Sequence, residues 1–353
     1  MSKKQIALLV LIIFALVLFV DLLIGDYVSA RLATTSWARK WGLFNPQGPI
    51  VVTNRETVRV NTNNDLVDTA ENAKTKTAAL VYFDGNDMVL SGSAVNWTSD
   101  GYFLSAKSAL SSTGKAYAVV TSSGDVYPVE AAYADPASEV VVLQTSARDL
   151  TVFSPADSRD LRIGQQVVMI QNSLSSGNAR FFTAFVKRMH TDTSGVEANS
   201  DLVSRNIEIT TLEPVPAGSS VLNLSGRMIG IWDGKVVVPV DELRELANNL
   251  FANNKTIVRP TCGFSYIILN EVEAKALQTL PGARLTQVAA GGIAAQKGFR
   301  VDDVITEIDG QKVDENLNLD NWLRQVKPEQ VVSFTVQRGA NPITILLTAG
   351  QLD

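Results

Sequence analysis

Cysteine and histidine are almost absent from this chain, which narrows the chemistry open to it. Its 353 residues contain one cysteine, Cys262, and one histidine, His190. A single cysteine excludes an internal disulfide. The same scarcity argues against a metal site built from histidine and cysteine. We therefore expect no metal and no cofactor.

The sequence also lacks an excess of positive charge. Charged residues make up 19% of the chain, and the formal net charge is −5. A nucleic-acid partner is not expected at this charge. The hydrophobic content of 46% suits folded globular domains together with an apolar segment. The length allows two or three domains.

One long apolar run stands at the N-terminus. Residues 6–20 are uninterrupted, and the run continues to Ile24 after a single aspartate. This is close to the roughly 20 residues that a membrane-spanning helix needs. The sequence therefore predicts a single-pass membrane anchor over residues 1–28, with the bulk of the chain in the periplasm or at the cell surface. The alternative is a cleaved signal peptide with Val28-Ser29-Ala30 as the cleavage site.

After a mixed juxtamembrane segment and linker over residues 29–76, the pattern changes to short strands. Many short apolar runs separated by polar turns predict an all-β sandwich or barrel over residues 77–252. A helical pattern over residues 241–252 closes this domain. Strands are predicted at 79–83, 92–97, 102–105, 116–121, 126–134, 140–145, 166–171, 180–189 and 206–211.

The stretch over residues 214–232 organises the domain. It reads PVPAGSSVLNLSGRMIGIW. The second half has two apolar runs around a turn, which is typical of a hairpin. The first half contains two prolines and a Gly-Ser-Ser, and is therefore predicted to be a loop.

This stretch resembles the nucleophile loop and following hairpin of HtrA/Deg-type trypsin-like serine proteases. Three further stretches resemble that family in the same order: SGSAVNWTSDGYFL at residues 91–104, DPASEVVVL at 135–143 and DSRDLRIGQQV at 157–167. The resemblance implies an all-β trypsin-like double β-barrel. It also places the family's nucleophile on Ala217, its general base on Ser108 and its orienting carboxylate on Glu139.

The chemistry implied by the resemblance does not survive in these residues. Serine hydrolysis needs a nucleophilic oxygen, a base that titrates near neutral pH and a carboxylate that holds the base. Alanine supplies no nucleophile, and a serine hydroxyl cannot serve as the base. The oxyanion-loop equivalents are Val215 and Ala217, and Val215 replaces a glycine whose backbone freedom such loops use. The sequence therefore predicts a protease fold that has lost proteolysis.

A rebuilt active site is the competing interpretation. Ser219 or Ser220 could act as a displaced nucleophile if the loop were shifted. Lys107 could serve as a base only if it were buried beside a serine. His190 is expected to be exposed at a strand end, away from the cleft.

Residues 259–353 resemble a PDZ domain, a small α+β module. The resemblance rests on RPTCGF at residues 259–264 and GGIAAQKGFRVDDVI at 291–305. PDZ domains bind the C-terminus of a polypeptide by adding it as a strand to an open sheet edge, and backbone amides of the preceding loop hold its carboxylate. The resemblance implies these peptide-binding residues: Cys262, Gly263, Phe264, Ser265, Tyr266, Leu319 and Leu323.

Two of those roles stay open at this point. Leu319 and Leu323 lie in a helix predicted over residues 315–326 and could be either core or pocket wall. Cys262 is expected to be an inert buried thiol, because no base or cation adjoins it in sequence.

Three functions are compatible with these features. The first is a membrane-anchored, proteolytically inactive HtrA-like protein that binds polypeptide C-termini or unfolded segments as a regulator, chaperone-like factor or scaffold in envelope protein quality control. The second is an active serine endopeptidase with a displaced nucleophile. The third is a scaffold whose barrel only spaces the PDZ domain from the membrane. The family resemblance also implies a homotrimer.

Overall fold

The structure is a computed structural model that describes most of the chain after the apolar run. The described residues are 5, 12–13, 62–110, 114–157, 160–172, 174, 179–189, 197–203, 206–313 and 319–352. The chain divides into two units, Met1–Val60 and Asn61–Asp353, and every element below belongs to the second. The predicted anchor, apart from Gln5, Ile12 and Ile13, lies outside the described residues, as does His190. In the part of the chain that is described, no helix combines the length and the apolarity needed to cross a membrane.

The first barrel-like sheet follows helix α1 (Thr62–Lys74) and contains seven antiparallel strands in the order β5-β4-β1-β2-β3-β7-β6. Its interior is filled by Leu80, Phe103, Val119 and Leu143, which are fully buried. Its strands are β1 (Thr77–Asp84), β2 (Asp87–Asn96), β3 (Tyr102–Ala106), β4 (Tyr117–Thr121), β5 (Val126–Pro128), β6 (Ala131–Ala134) and β7 (Val140–Gln144).

The prediction of one strand over residues 126–134 is wrong, and the difference explains how this sheet closes. Strand β5 pairs with β4, whereas β6 pairs with β7 at the opposite edge. Between them, the Val129 N–H donates to the Tyr117 carbonyl at 2.9 Å and the Glu130 N–H to the Gln144 carbonyl at 2.8 Å. The chain thus crosses from one edge of the sheet to the other at residues 129–130. Pro128, which has no N–H to donate, ends β5 at this crossing.

The second sheet is a closed barrel in the order β11-β14-β13-β12-β8-β9. The predicted hairpin forms β12 and β13, and helix α2 (Val240–Ala252) follows, as expected. Between β9 and β11 lies a short strand, β10 (Ala198–Asn199), which pairs outside this barrel. The barrel strands are β8 (Gln166–Asn172), β9 (Ala179–Met189), β11 (Ile207–Thr211), β12 (Ser220–Leu222), β13 (Met228–Trp232) and β14 (Val237–Pro239).

A shared hydrophobic cluster joins the two sheets and includes helix α1. Val95 and Leu104 of the first sheet pack in the same cluster as Ile170 and Ile231 of the second. Ala73 of α1 is fully buried there. The part of the predicted linker that forms α1 therefore belongs to the core of the two-sheet domain.

The C-terminal region forms the expected small α+β domain. Its sheet runs β10-β16-β17-β18-β20-β21, with β19 beside β18 and a separate β15-β22 pair. Phe299 lies 5.8 Å from Phe264 and 5.3 Å from Phe334 between ring centroids, which gives the domain an aromatic core. Its elements are β15 (Arg259–Thr261), β16 (Phe264–Leu269), α3 (Glu271–Ala276), β17 (Gly282–Val288), α4 (Ile293–Gln296), β18 (Val304–Ile308), β19 (Gln311–Lys312), α5 (Leu319–Gln325), β20 (Val331–Arg338), β21 (Asn341–Thr348) and β22 (Gly350–Leu352).

A buried ion pair ties the two domains together. Arg259 of β15 donates to both carboxylate oxygens of Asp135, at 2.9 and 2.8 Å. The two side chains are 7% and 1% exposed. Burial alone would lower the pKa of Arg259, but the hydrogen bonds and charge of Asp135 raise it above its usual value. A second ion pair joins Arg324 of α5 to Glu242 of α2.

Removing the Asp135 carboxylate should destabilise the protein strongly. Asp135→Ala leaves the Arg259 guanidinium buried without its charged acceptor, so we expect the free energy of unfolding to fall by about 3–5 kcal/mol. Urea unfolding followed by tryptophan fluorescence measures the change. The matched control is Asp84→Ala, which breaks the exposed pair with Lys115 and should leave the unfolding midpoint unchanged. Equal effects of the two substitutions would contradict the assigned role of the buried pair.

Candidate functional site

The loop that carries Ala217 is held in place by its backbone. The Ser93 N–H donates to the Ala217 carbonyl at 3.0 Å, and the Gly218 N–H donates to the Trp232 carbonyl at 2.7 Å. Gly218 has a φ of +85°, and a Cβ added there would lie 1.9 Å from the Ser93 carbonyl oxygen. Only glycine fits this approach between loop and strand.

Ser108 lies on the other side of the same cleft. It sits in a short 3-10 helix, Lys107–Leu110, and its hydroxyl donates to the Asp233 carbonyl at 3.2 Å. Gly92 of β2 packs against both segments, because a Cβ added there would lie 2.6 Å from the Ala109 Cβ and 2.9 Å from the Ala217 carbonyl oxygen. The structure therefore brings the segments of Ser108 and Ala217 together between the two sheets.

Glu139 is next to this cleft but is not directed into a buried network. Its carbonyl accepts a 2.8 Å hydrogen bond from the Lys107 N–H, so its backbone adjoins the helix that carries Ser108. Its side chain is exposed. A carboxylate that orients a catalytic base is normally buried against that base. The three aligned positions thus offer a methyl group, a hydroxyl bonded to a carbonyl, and an exposed carboxylate.

The alternative nucleophiles are turned away from solvent. Ser219 is fully buried, and its hydroxyl donates to the Pro216 carbonyl at 2.7 Å. Ser220 is also fully buried, within β12 between Ile170 and Ile231 of the neighbouring strands. Lys107, the alternative base, begins the 3-10 helix with a half-buried side chain.

Val215 is fixed at the other end of the loop. Its carbonyl accepts a 3.1 Å hydrogen bond from the Trp232 indole N–H. Its side chain packs against the hydrophobic core of the second barrel. Val215 therefore acts as part of the barrel wall in this structure.

The sheet edge that was predicted to be open in the PDZ domain is occupied. Strand β16 pairs with β17 on one side and with β10 on the other. The second pairing is antiparallel, with Ala198 opposite Tyr266 and Asn199 opposite Ser265. It continues with the Ser200 N–H, which donates to the Phe264 carbonyl at 2.9 Å. The expectation of an open edge is therefore wrong, because a segment of the same chain pairs with it.

The loop before β16 holds a carboxylate, and this carboxylate belongs to Asp201. One oxygen accepts hydrogen bonds from the Cys262 N–H at 2.9 Å and the Gly263 N–H at 3.0 Å. The other accepts from the Thr261 hydroxyl at 2.7 Å. Gly263 has a φ of +85°, a backbone conformation that favours glycine and turns successive N–H groups toward one point. These are the amides on which the resemblance placed a ligand's carboxylate.

The helix facing β16 supplies apolar side chains to the same place. Leu319 and Leu323 of α5 are each 2% exposed. They belong to one hydrophobic cluster with Phe264, Tyr266 and Ala198. Both leucines are thus buried in the structure with β10 present.

Cys262 is buried, as predicted. Burial raises the pKa of its thiol to about 12, and the nearby Asp201 charge raises it in addition. A neutral, buried thiol is a poor nucleophile. Among the described residues, no group of three or more histidine, cysteine, aspartate or glutamate side chains could hold a metal ion.

No local pattern in the sequence indicates Asp201 or β10. Asp201 lies 61 residues before Cys262, its first amide partner. The strand itself has two residues, which is too short for any periodicity to appear. The only clue was chemical, since a groove that binds carboxylates can also accept an aspartate of its own chain.

Family models recognise both domains. Residues 92–231 match the trypsin-like peptidase domain, and residues 260–348 match the PDZ domain. The chain thus contains a trypsin-like peptidase domain followed by a PDZ domain.

The chain is also similar to particular known proteins. The chain is 25% identical over 240 residues to a probable periplasmic serine endoprotease DegP-like of Halomonas elongata, covering 62% of this chain and 47% of the relative. It is 25% identical over 233 residues to the serine protease Do-like HtrA of Bacillus subtilis, covering 60% and 52%. The chain spans about half the length of the curated relatives it matches. Among solved structures, the HtrA-type protease AlgW with decapeptide aligns with a TM-score of 0.63 and 18% identity. The alignment covers 83% of this chain and 99% of that chain.

The thiol of Cys262 should resist labelling in the folded protein. Because its folded-state pKa is raised from 9.0 to about 12, the neutral thiol contributes stability that is present below pH 9.0 and is lost as the pH rises toward 12. We expect an aromatic disulfide reagent at about pH 8 to label the native full chain very slowly and the urea-unfolded chain completely. Rapid stoichiometric labelling of native protein would contradict the buried position.

Proposed function

We propose that this chain is a membrane-anchored HtrA-like protein that binds polypeptide C-termini or unfolded segments through its PDZ domain without cleaving them. In this role it acts as a regulator, chaperone-like factor or scaffold in envelope protein quality control. The observation on which the proposal depends is the binding of the Asp201 carboxylate by the backbone amides of Cys262 and Gly263. It supports a loop at Cys262 and Gly263 whose amides bind a carboxylate, as C-terminal recognition requires.

The loss of proteolysis is supported by the residues at the cleft. Acyl transfer needs an attacking oxygen and a base within hydrogen-bond reach of it. Ala217 has no such oxygen, and the hydroxyl of Ser108 is bonded to a backbone carbonyl. The rival function, an active endopeptidase with Ser219 or Ser220 as nucleophile, requires a hydroxyl that is now fully buried to become exposed.

The location rests on the sequence and on the relatives. The apolar run of residues 6–20 supports a membrane anchor. Several relatives are named as periplasmic proteins, which supports a position outside the cytoplasm for the two folded domains. A homotrimer is proposed from the family resemblance.

The purified full chain should not react as a serine hydrolase. We expect no covalent labelling by a fluorophosphonate probe and no digestion of casein. We expect the same result for Ala217→Ser, because the restored hydroxyl has only Ser108 where a base is needed. Labelling of the unmodified chain that disappears in Ser219→Ala or Ser220→Ala would overturn the proposal and establish the displaced nucleophile.

The PDZ loop should discriminate a free carboxylate from an amide. We expect the full chain to bind members of a fluorescent decapeptide library with free C-termini and not the same peptides with amidated C-termini, because only the charged group accepts strong hydrogen bonds from the loop. Fluorescence polarisation measures the affinities.

Two glycine substitutions provide the matched comparison. The comparison is made in Asp201→Ala, where no internal carboxylate competes for the loop amides. Adding Gly263→Ala should weaken binding about tenfold or more, since alanine strains the left-handed backbone that aims the loop amides. Adding Gly298→Ala meets the same left-handed constraint, with a φ of +91°, but lies outside the carboxylate loop and should leave the affinity of Asp201→Ala unchanged. Equal affinities of the two variants would contradict the assigned loop.

A further inference from the structure

We propose that residues 197–201 are an internal ligand of the PDZ groove, which an external C-terminus must displace before it can bind. This inference rests on the proposed function, because it assumes that the groove accepts polypeptide C-termini. Three features of the segment carry it: its backbone pairing, its carboxylate and its buried side chain.

The backbone of the segment uses the hydrogen bonds that an added strand would use. It runs antiparallel to β16, with Ala198 opposite Tyr266 and Asn199 opposite Ser265. The Ser200 N–H donates to the Phe264 carbonyl at 2.9 Å, and the Ser200 hydroxyl accepts from the Phe264 N–H at 3.1 Å. A strand edge has one row of donors and acceptors. An incoming peptide and β10 therefore cannot occupy it together.

The carboxylate of Asp201 takes the position of a chain terminus. It accepts hydrogen bonds from the Cys262 and Gly263 amides and the Thr261 hydroxyl. It also accepts a 2.7 Å bond from the Ser200 hydroxyl. Charge-assisted bonds of this kind are stronger than neutral ones. Asp201 therefore closes the binding loop to any other carboxylate.

The side chain that the segment places in the groove is small. Ala198 is 4% exposed and lies in the cluster that contains Leu319 and Leu323. Its methyl group removes little apolar surface from water, and the gain from burial grows with the apolar area buried. A peptide with a larger apolar side chain at this position would gain more from the same groove. Such a peptide could therefore displace residues 197–201 from the groove.

Tethering explains how a small ligand can hold the groove closed. The segment is part of the same chain, so it meets β16 at a high effective concentration. Just beyond it, the Val203 N–H donates to the Ala137 carbonyl at 2.7 Å, which ties the segment to the loop between β6 and β7. The apparent Kd of an external peptide is then higher than its intrinsic Kd by a factor of one plus the ratio of closed to open grooves.

The test compares the unmodified full chain with Asp201→Ala and Asp201→Asn. The probe is the decapeptide library with free C-termini, and the readout is fluorescence polarisation. We expect Asp201→Ala to bind the best peptides at least about tenfold more tightly, because its groove is open more often. Asp201→Asn keeps the shape without the charge and should fall between the two. Asp87→Ala, an exposed aspartate in β2, is the control and should match the unmodified chain.

Hydrogen–deuterium exchange supplies the second readout on the same proteins. We expect the amides of Ala198, Ser200 and Phe264 to be protected in the unmodified chain and to exchange faster in Asp201→Ala. Saturating peptide should protect Phe264 again while residues 198–200 stay in fast exchange, because the peptide has replaced the segment.

Two results would overturn the inference, and they can be told apart. If peptides bind the unmodified chain and Asp201→Ala with equal affinity, the groove binds C-termini but the segment does not compete. If exchange shows that Asp201→Ala opens the groove and no peptide binds to it, the proposed function fails and the competition fails with it.

Discussion

One buried carboxylate holds together the parts of this protein on which both sites depend. Asp135 accepts two hydrogen bonds from Arg259, which begins the PDZ domain. It also accepts from the Ala137 N–H and the Ser138 hydroxyl, and so shapes the loop that leads to Glu139. A buried ion pair is costly unless its remaining bonding positions are filled. Filling them here requires the first sheet, the loop and the PDZ domain to be in place together.

Close backbone contacts at glycines position the segments between the two sheets, and these contacts do not depend on any catalytic side chain. Gly92 and Gly218 allow backbones to approach where any Cβ would collide with a carbonyl oxygen. The loop that carries Ala217 is consequently rigid whether or not a nucleophile stands on it. The same rigidity keeps Ser219 and Ser220 buried, so the loop would have to break its bonds to Ser93 and Trp232 to present either hydroxyl.

Most of the fold could be predicted from local patterns, and the closed groove could not. The hairpin of β12 and β13 carries its own turn residues and apolar runs, and these local features are enough to predict it. The prediction of one strand over residues 126–134 is wrong because an apolar pattern does not show that its two halves pair with opposite edges of the sheet. Strand β10 has two residues, and Asn199 pairs with Ser265, which lies 66 residues further along the chain. So short a strand with polar neighbours has no sequence pattern that indicates a pairing at this distance.

The turn after β10 shows why a segment from within a chain fits this groove less well than a free C-terminus does. A true C-terminus ends at its carboxylate, whereas the internal segment must supply a side-chain carboxylate and then leave. Asn199 arranges the exit, because its amide oxygen accepts from the Asp201 N–H at 2.8 Å and its carbonyl from the Leu202 N–H at 3.3 Å. The exit leaves Leu202 53% exposed and only Ala198 in the apolar cluster. The segment therefore holds the groove through hydrogen bonds with little apolar contact, and its tether beside the groove adds to its occupancy.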